Sequence, residues 1–398
     1  MTPMHAAAYA SIAIALLLPL YAYAGYPLLL WIFAPRRRRD GAAEPAEWPR
    51  ISITVPAYNE EAEIGATLQS LLALDYPAER RQIVVVSDGS TDGTDDVVRS
   101  FADRGVQLLR MPERRGKTAA ENAAASLLTG EIVVNTDASI RILPASLRPL
   151  VAAFADPAVG VASGRDLSVA RVDASATAGE GGYVGYEMAV RGLETRAGGI
   201  VGASGCFYAI RAHLHRLPLP AGLSRDFAAP LLARGAGYRA VSVDRAVCLV
   251  PRTPSLRREY GRKVRTMTRG MQTLWHLRAL LDPRNGATFA WMLWSHKVCR
   301  WAVPWAAAAG VAGVLVLAGT EPWARAVASL GGALLALAAA GALWPAGRTP
   351  PRWLALPAYL VAGNLAALHA GLRALRGQHA AIWEPTRRDP APSITPAS

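Results

Sequence analysis

Ile51-Ser-Ile-Thr-Val-Pro-Ala-Tyr-Asn-Glu-Glu61, Ile83-Val-Val-Val-Ser-Asp-Gly-Ser-Thr-Asp92, Arg110-Met-Pro-Glu-Arg-Arg-Gly-Lys-Thr118 and Ile132-Val-Val-Asn-Thr-Asp-Ala-Ser139 are the segments on which the fold turns. Each contains or directly follows an apolar run of strand character, and acidic or cationic residues stand at the end of most. The runs predict strands over Ile51–Val55, with Pro56 as the stop, then Gln82–Val86, Val106–Leu109 and Glu131–Val134. Between them lie helical patterns. Ile64, Leu68, Leu71 and Leu72 recur at helical spacing, Asp92-Gly-Thr94 opens a helix through Phe101, and Thr118–Leu128 reads as a third. Strands alternating with helices of about 12 residues predict an α/β fold, a parallel sheet with helices on both faces. Ligands of such sheets bind beyond the carboxyl ends of the strands. The pattern therefore gathers Glu60, Asp88, Lys117 and Asp137 around one crevice.

Two familiar phosphate-binding signatures are excluded. Gly116-Lys117-Thr118 looks like the end of a phosphate loop, but the first glycine of that motif falls on Met111. No G-x-G-x-x-G follows any strand, so a dinucleotide site lacks its anchor. Carboxylates at strand ends suit a different ligand, because they accept hydrogen bonds from a nucleotide base and from ribose hydroxyls. Helix capping is the competing role for Asp88 and Asp92, and for Asp92 it is the preferred one. A solvated surface position competes for Lys117.

Beyond residue 150 the rhythm loosens. Val159–Gly164 reads as a strand and Gly179–Arg196 as a helix carrying Tyr183, Tyr186 and Met188. The turn Gly202-Ala-Ser-Gly205 follows, where glycine permits close approach of backbone to a ligand. Leu223-Ser-Arg-Asp-Phe227 precedes a short helix ending in Gly237-Tyr238, and Asp226 is either a reactive carboxylate or the cap of that helix. Residues 252 to 278 hold Arg252, Arg257, Arg258, Arg262, Lys263, Arg265, Arg269 and Arg278 against Glu259 alone. Met267, Met271, Leu274 and Trp275 interleave with them, which predicts a basic amphipathic helix for a membrane surface. Phe289, Trp291, Trp294, His296, Lys297, Trp301 and Trp305 add an aromatic and cationic belt.

In this order and spacing, the four opening segments closely resemble the nucleotide-sugar half of inverting family 2 glycosyltransferases. The layout is similar to that of poly-N-acetylglucosamine, cellulose and hyaluronan synthases. The resemblance implies a GT-A-type sheet and assigns Pro56, Ala57, Tyr58, Glu60, Asp88, Lys117 and Asp137 to a UDP-sugar donor. It implies Mg²⁺ or Mn²⁺ at Asp137, where relatives carry Asp-x-Asp; here Ser139 holds the second position, leaving one carboxylate. Hard oxygen ligands suit both ions. It implies Asp226 as the base that deprotonates the acceptor hydroxyl, with Ser204, Gly205 and Cys206 against the acceptor. Arg225 stands where relatives have Glu, so the field at Asp226 is expected to be more positive. Processive members carry Gln-x-x-Arg-Trp where this chain reads Arg262-Lys-Val-Arg-Thr266. Arg265 retains the diphosphate role, whereas Thr266 offers no stacking face, which favours single-sugar addition. A nucleotide-binding subunit without activity is the reading from another class. A nucleotidyltransferase would want a glycine-rich cationic loop in place of Tyr58-Asn-Glu-Glu61.

Length and hydropathy set the surroundings. The chain has 398 residues, and residues 6 to 35, 301 to 320 and 326 to 347 contain no charged side chain. A span needs about 20 apolar residues; Trp353–Leu372 is a weaker fourth run that also fits a surface-lying helix. Ala22-Tyr-Ala24 resembles a cleavage site, yet no basic residue precedes the apolar stretch, and Arg36-Arg-Arg-Arg39 follows as an inside-facing anchor. The expected order is a spanning helix over 1–35, a basic linker over 36–50 and a cytoplasmic catalytic domain over 51–250. Interfacial helices over 251–300, two or three spans within 301–372 and a polar tail over 373–398 complete it. This describes a multi-pass protein of the inner or plasma membrane, although three C-terminal spans would put Arg373, Arg376, Arg387 and Arg388 outside, against the positive-inside tendency. The net charge of +13 suits an anionic leaflet. Without zinc-finger spacing or an RNA-binding signature, nucleic acid is not expected. The expected partners are the UDP-sugar, a glycan or lipid-linked acceptor and the bilayer, with any export partner unknown. Cys206, Cys248 and Cys299 show no pair spacing and read as buried hydrophobes in a reducing compartment.

Overall fold

The computed structural model describes residues 2–35, 45, 47–169, 178–251, 256–345 and 350–378. Arg36–Arg39, Arg252, Arg387 and Arg388 lie outside the described residues, as does the side chain of Tyr183. Eight strands form one sheet: β1 (Ile51–Ala57), β2 (Arg81–Ser87), β3 (Val106–Arg110), β4 (Ile132–Thr136), β5 (Arg141–Ile142), β6 (Val159–Val169), β7 (Phe207–Arg211) and β8 (Arg239–Pro251). Their order is β3-β2-β1-β4-β7-β6-β8-β5. The first four strands are parallel, as their strand–helix rhythm predicts. β7 then pairs antiparallel to both β4 and β6, and β5 antiparallel to β8, so the whole sheet is mixed. The parallel arrangement expected from the segments of residues 51–139 holds for these four strands. In the second half β6 and β8 are again parallel, while β7 enters antiparallel between β4 and β6.

β1 also runs two residues past its expected stop. Pro56 pairs with Val86 of β2, while pairing with β4 ends at Thr54 opposite Asn135. The proline therefore lies where β1 has a single neighbour, and its missing N–H interrupts no second ladder.

Alternate residues of the strands feed two cores. Ile51, Ile53, Val55, Ile83, Val85 and Val134 pack on Ile64, Leu68 and Leu71 of the Glu61–Leu72 helix. Val84, Val86 and Val133 face Ala120 and Ala124 of the Lys117–Ala124 helix and Ala229 and Ala233 of the Arg225–Gly235 helix. Each large aliphatic side chain buried this way stabilises the fold by about 1.5–3 kcal/mol. With both faces covered, the carboxyl edge of β1–β4 remains for a ligand.

Among the described residues, four helices are long and apolar enough to cross a membrane: Pro3–Phe33, Ala287–Leu317, Pro322–Ala342 and Arg352–Leu375. The second begins before residue 300, so the whole aromatic belt lies within it. It packs along the first through small residues, a Cβ on Gly310 meeting that of Ala15 at 2.5 Å, as in close helix pairs of membrane proteins. A π-helical stretch interrupts each, Tyr21–Gly25 in one and Trp294–Cys299 in the other. The two stretches meet where the Tyr21 and Ser295 hydroxyls approach to 2.7 Å. The basic helix, Leu256–His276, lies against Arg352–Leu375, where Lys263 Nζ sits 3.9 Å from the Tyr359 ring centre.

Candidate active site

The crevice forms where the loops after β1, β2, β3 and β4 converge. Tyr58-Asn59-Glu60 leaves β1 through a left-handed residue, Asn59 at φ 52°, unique in sign among described non-glycine residues. Asparagine tolerates that region, and here its Oδ1 accepts from Thr91 N–H at 2.8 Å. Glu60 N–H donates to Thr94 Oγ1 at 2.8 Å, and Asp92 accepts from Thr94 N–H and Glu61 N–H. The turn after β1 is thus tied to the turn after β2. Asp92 has the local capping role expected of it, while Glu60 is buried at the start of the first helix.

Asp88 is 3% exposed, and its two oxygens accept from Arg115 N–H and Gly116 N–H, each at 2.7 Å. It clamps the loop after β3. Gly89, at φ 69°, lets that loop pass, since a Cβ there would meet Arg114 N at 2.8 Å. The clamp brings the Arg114 guanidinium over the Tyr58 ring, 3.7 Å from its centre. The result is a flat cation–aromatic pair beside a carboxylate.

Lys117 opens the next helix and reaches inward. Its Nζ donates to Asp137 Oδ1 at 2.5 Å and to the Gly205 carbonyl at 2.9 Å. Burial works against this charge, but Asp137, Glu121 and Asp226 outweigh it and hold the ammonium above its ordinary range. Asp226 comes from the other half of the fold. It sits in the first turn of its helix, behind Ser224 at the cap position, and accepts from Ser224 Oγ at 2.5 Å. Gly205 is what lets it approach: a Cβ there would lie 3.0 Å from Asp226 Oδ2. Asp137, Lys117, Gly205 and Asp226 therefore form one continuous cluster.

Other expectations are redistributed. Arg225 does not turn toward Asp226; it is buried on the opposite side, donates to the His215 carbonyl at 2.9 Å and lies 3.6 Å from Glu121. Consecutive helical residues point about 100° apart, and only inward does Arg225 find acceptors. The Ser204 hydroxyl likewise turns inward, donating to Asp166 at 2.5 Å and accepting from the Cys206 and Phe207 amides. Ser204 holds the turn, while Gly205 faces Asp226 and the partly buried Cys206 packs against the first core. Arg265 is half-buried midway along the basic helix, with Thr266 exposed beside it.

Sequence reasoning passed over Arg269, one turn beyond Arg265. Its guanidinium donates to Thr118 Oγ1 at 2.9 Å and to the Leu223 carbonyl at 2.5 Å. It thereby joins the basic helix to both Lys117 and Asp226 through their neighbours. Glu121, one turn after Lys117, was also missed. It is fully buried with neither oxygen hydrogen-bonded, and burial followed by Asp226 and Asp137 raises its pKa. A signal existed for Glu121, since a glutamate amid alanines at i+4 from a lysine shares its helix face.

His215 supports the floor of the site, its Nε2 3.1 Å from Asn135 Oδ1, two residues before Asp137. Burial, with Arg225 and Arg216, pushes its pKa down to about 3 from 6.5. A depressed cation gives stability that is present above 6.5 and lost as pH falls toward about 3. Each unit is worth about 1.4 kcal/mol, so about 2 kcal/mol should go between pH 7 and pH 5. His215→Gln should flatten that slope in thermal unfolding; an unchanged slope assigns the acid sensitivity elsewhere.

The divalent ion has a sparse donor set. No cluster of three His, Cys, Asp or Glu suited to a metal occurs among the described residues. Asp137 alone fits, as one carboxylate sharing an ion with substrate phosphates, a mode usual for Mg²⁺.

Comparison with known proteins bears on the family and the fold. Residues 52–211 match the glycosyl transferase family 2 domain. The mannosyltransferase PcManGT of Pyrobaculum calidifontis, solved with GDP-Man and Mn²⁺, superposes with a TM-score of 0.73 at 26% identity, covering 94% of this chain and 100% of that one. The beta-monoglucosyldiacylglycerol synthase of Synechocystis is 34% identical over 124 residues, 30% of this chain and 26% of that protein. An N-acetylglucosaminyltransferase of Rhizobium meliloti is 36% identical over 131 residues, 31% and 30% of the two chains. The chain thus spans under a third of the length of these two curated relatives.

Proposed function

From a chain that carries a family 2 glycosyltransferase domain in a GT-A-type fold, we propose an inverting glycosyltransferase. It moves a sugar from a nucleoside diphosphate sugar to a hydroxyl of a glycan or lipid-linked acceptor at the membrane. The observation that carries this is the Asp137–Lys117–Gly205–Asp226 cluster, in which a donor-side and an acceptor-side carboxylate share one lysine. We assign the donor base to the Tyr58–Arg114 stack beside Asp88, with Pro56, Ala57 and Glu60 forming the wall. The diphosphate falls to Lys117, Asp137 and Arg265, and the acceptor to Gly205 and Cys206.

Asp226 takes the acceptor proton as the oxygen attacks the anomeric carbon from the face opposite the leaving group. The carbon–oxygen bond to the diphosphate breaks, the nucleoside diphosphate leaves with the electron pair, and the configuration inverts. Fixed cations beside the leaving group lower the barrier because the charge develops there. An ion held by Asp137 would neutralise further phosphate charge when bound.

The catalytic domain is assigned to the cytoplasmic side of a multi-pass protein of the plasma membrane, serving cell-surface polysaccharide. Single-sugar addition is the second reading, favoured by exposed Thr266. Incubating membranes containing the full chain with radiolabelled UDP- and GDP-sugars, with and without Mn²⁺, tests donor, metal and product length together. Incorporation from one donor, greater with Mn²⁺, is expected. No incorporation and no donor hydrolysis from any of them would favour a nucleotide-binding subunit.

A further inference from the structure

The acceptor turn has a second side. Its Gly205 end faces Asp226, while its Gly202 end faces the membrane helices: a Cβ on Gly202 would lie 3.2 Å from Lys297 Nζ. Lys297 belongs to the π-helical stretch Trp294–Cys299 in the helix Ala287–Leu317. Such stretches cost regular hydrogen bonding and recur at functional sites. Its ammonium lies 5.3 Å from the Phe227 ring centre, Phe227 being the residue after Asp226, and no carboxylate oxygen comes within 4.0 Å. Arg191, on the helix Ala178–Ala197, donates to the Ala203 carbonyl at 3.3 Å and likewise has no carboxylate partner.

The neighbouring acids Glu187 and Glu194 lie within electrostatic reach of Lys297, but their direct contacts go to other groups. Glu194 accepts from Tyr26 Oη at 2.7 Å and lies 2.6 Å from His296 Nδ1. Glu187 pairs with Arg300 and lies 3.1 Å from His296 Nε2. Two cations therefore flank one glycine-containing turn, at the place where membrane helices meet the catalytic domain, and among the described residues neither makes a direct ion pair with a carboxylate. Arginine and lysine placed together bind phosphate well.

We propose that Arg191 and Lys297 bind the phosphate of a phosphate-bearing lipid acceptor. Its apolar chain lies along the membrane helices, and its accepting oxygen lies on the Asp226 side of the turn. This rests on the transferase reading above and names its acceptor class.

The test uses the full chain in neutral detergent, with farnesyl phosphate as probe and farnesol and inorganic phosphate as controls. Binding is followed by calorimetry beside nucleoside diphosphate binding to the same samples. Farnesyl phosphate should bind at least tenfold more tightly than either control. Lys297→Met and Arg191→Gln should each weaken it about tenfold, Lys297→Arg should restore most of the loss, and nucleotide affinity should stay unchanged. Farnesol binding equal to farnesyl phosphate, or Lys297→Met binding as the parent does, overturns the phosphate site. Inorganic phosphate binding as tightly as farnesyl phosphate would make it a free-anion site and overturn the lipid. Nucleotide binding separates the two readings: its absence from the parent protein sinks the transferase assignment, whereas its presence with no farnesyl phosphate binding sinks the acceptor class alone.

Discussion

Asp226→Asn in the full-length protein is expected to reduce sugar transfer by about 10²–10⁴-fold, the usual contribution of a general base, and to leave nucleoside diphosphate affinity within about twofold. Asparagine keeps the shape and can still accept from Ser224 Oγ, which now donates to Asp226 at 2.5 Å. The first turn of its helix and the approach to Gly205 should therefore survive. What is lost is the ability to take a proton. Ser224→Ala isolates the orienting hydrogen bond and should cost far less, because the carboxylate remains. Transfer rate and nucleotide affinity, measured on the same preparations, check both. Turnover by Asp226→Asn within a factor of three of the parent would show that Asp226 is not the base.

The segments quoted at the outset were legible because short-range chemistry determines them. β-branched runs with helical patterns between them can hardly form anything but parallel strands, and that alone brings Asp88, Lys117 and Asp137 to one edge. The second half was less legible for a physical reason. Antiparallel insertion of β7 between β4 and β6 depends on pairings between residues far apart in the chain, such as Ile132 with Arg211 and Val161 with Ile210, which no local period encodes. Side-chain direction was the other gap. Arg225 and Asp226 are adjacent in sequence yet face different partners, and Ser204 is drawn inward by Asp166. The same limit hid Arg269, whose role rests on the Leu223 carbonyl and Thr118. Among the six Lys and Arg residues of the Leu256–His276 helix, composition does not reveal which one turns to the protein.

Lys117→Met should produce the largest stability effect in the domain. The ammonium is shared by Asp137 and the Gly205 carbonyl and lies within electrostatic reach of Glu121 and Asp226. Its removal leaves three neighbouring carboxylates, one of them fully buried without a hydrogen bond. Breaking a buried pair by removing one partner costs about 3–5 kcal/mol, most of it from the charge left behind. Nucleotide affinity should fall as well, because Asp137 would then face the diphosphate without a cation. Glu121→Gln separates the causes. Glu121 has a raised pKa, so its contribution to stability is full below the ordinary value of 4.5 and is lost as pH rises through the raised one. Above that range the substitution removes a penalty, and Lys117→Met with Glu121→Gln should recover part of the lost stability at neutral pH but none of the nucleotide affinity. Urea unfolding and nucleotide titration of the single and double variants measure the two effects separately. If the double variant is no more stable than Lys117→Met at neutral pH, the lysine does not act by compensating Glu121, and its loss must be felt through Asp137 and Asp226.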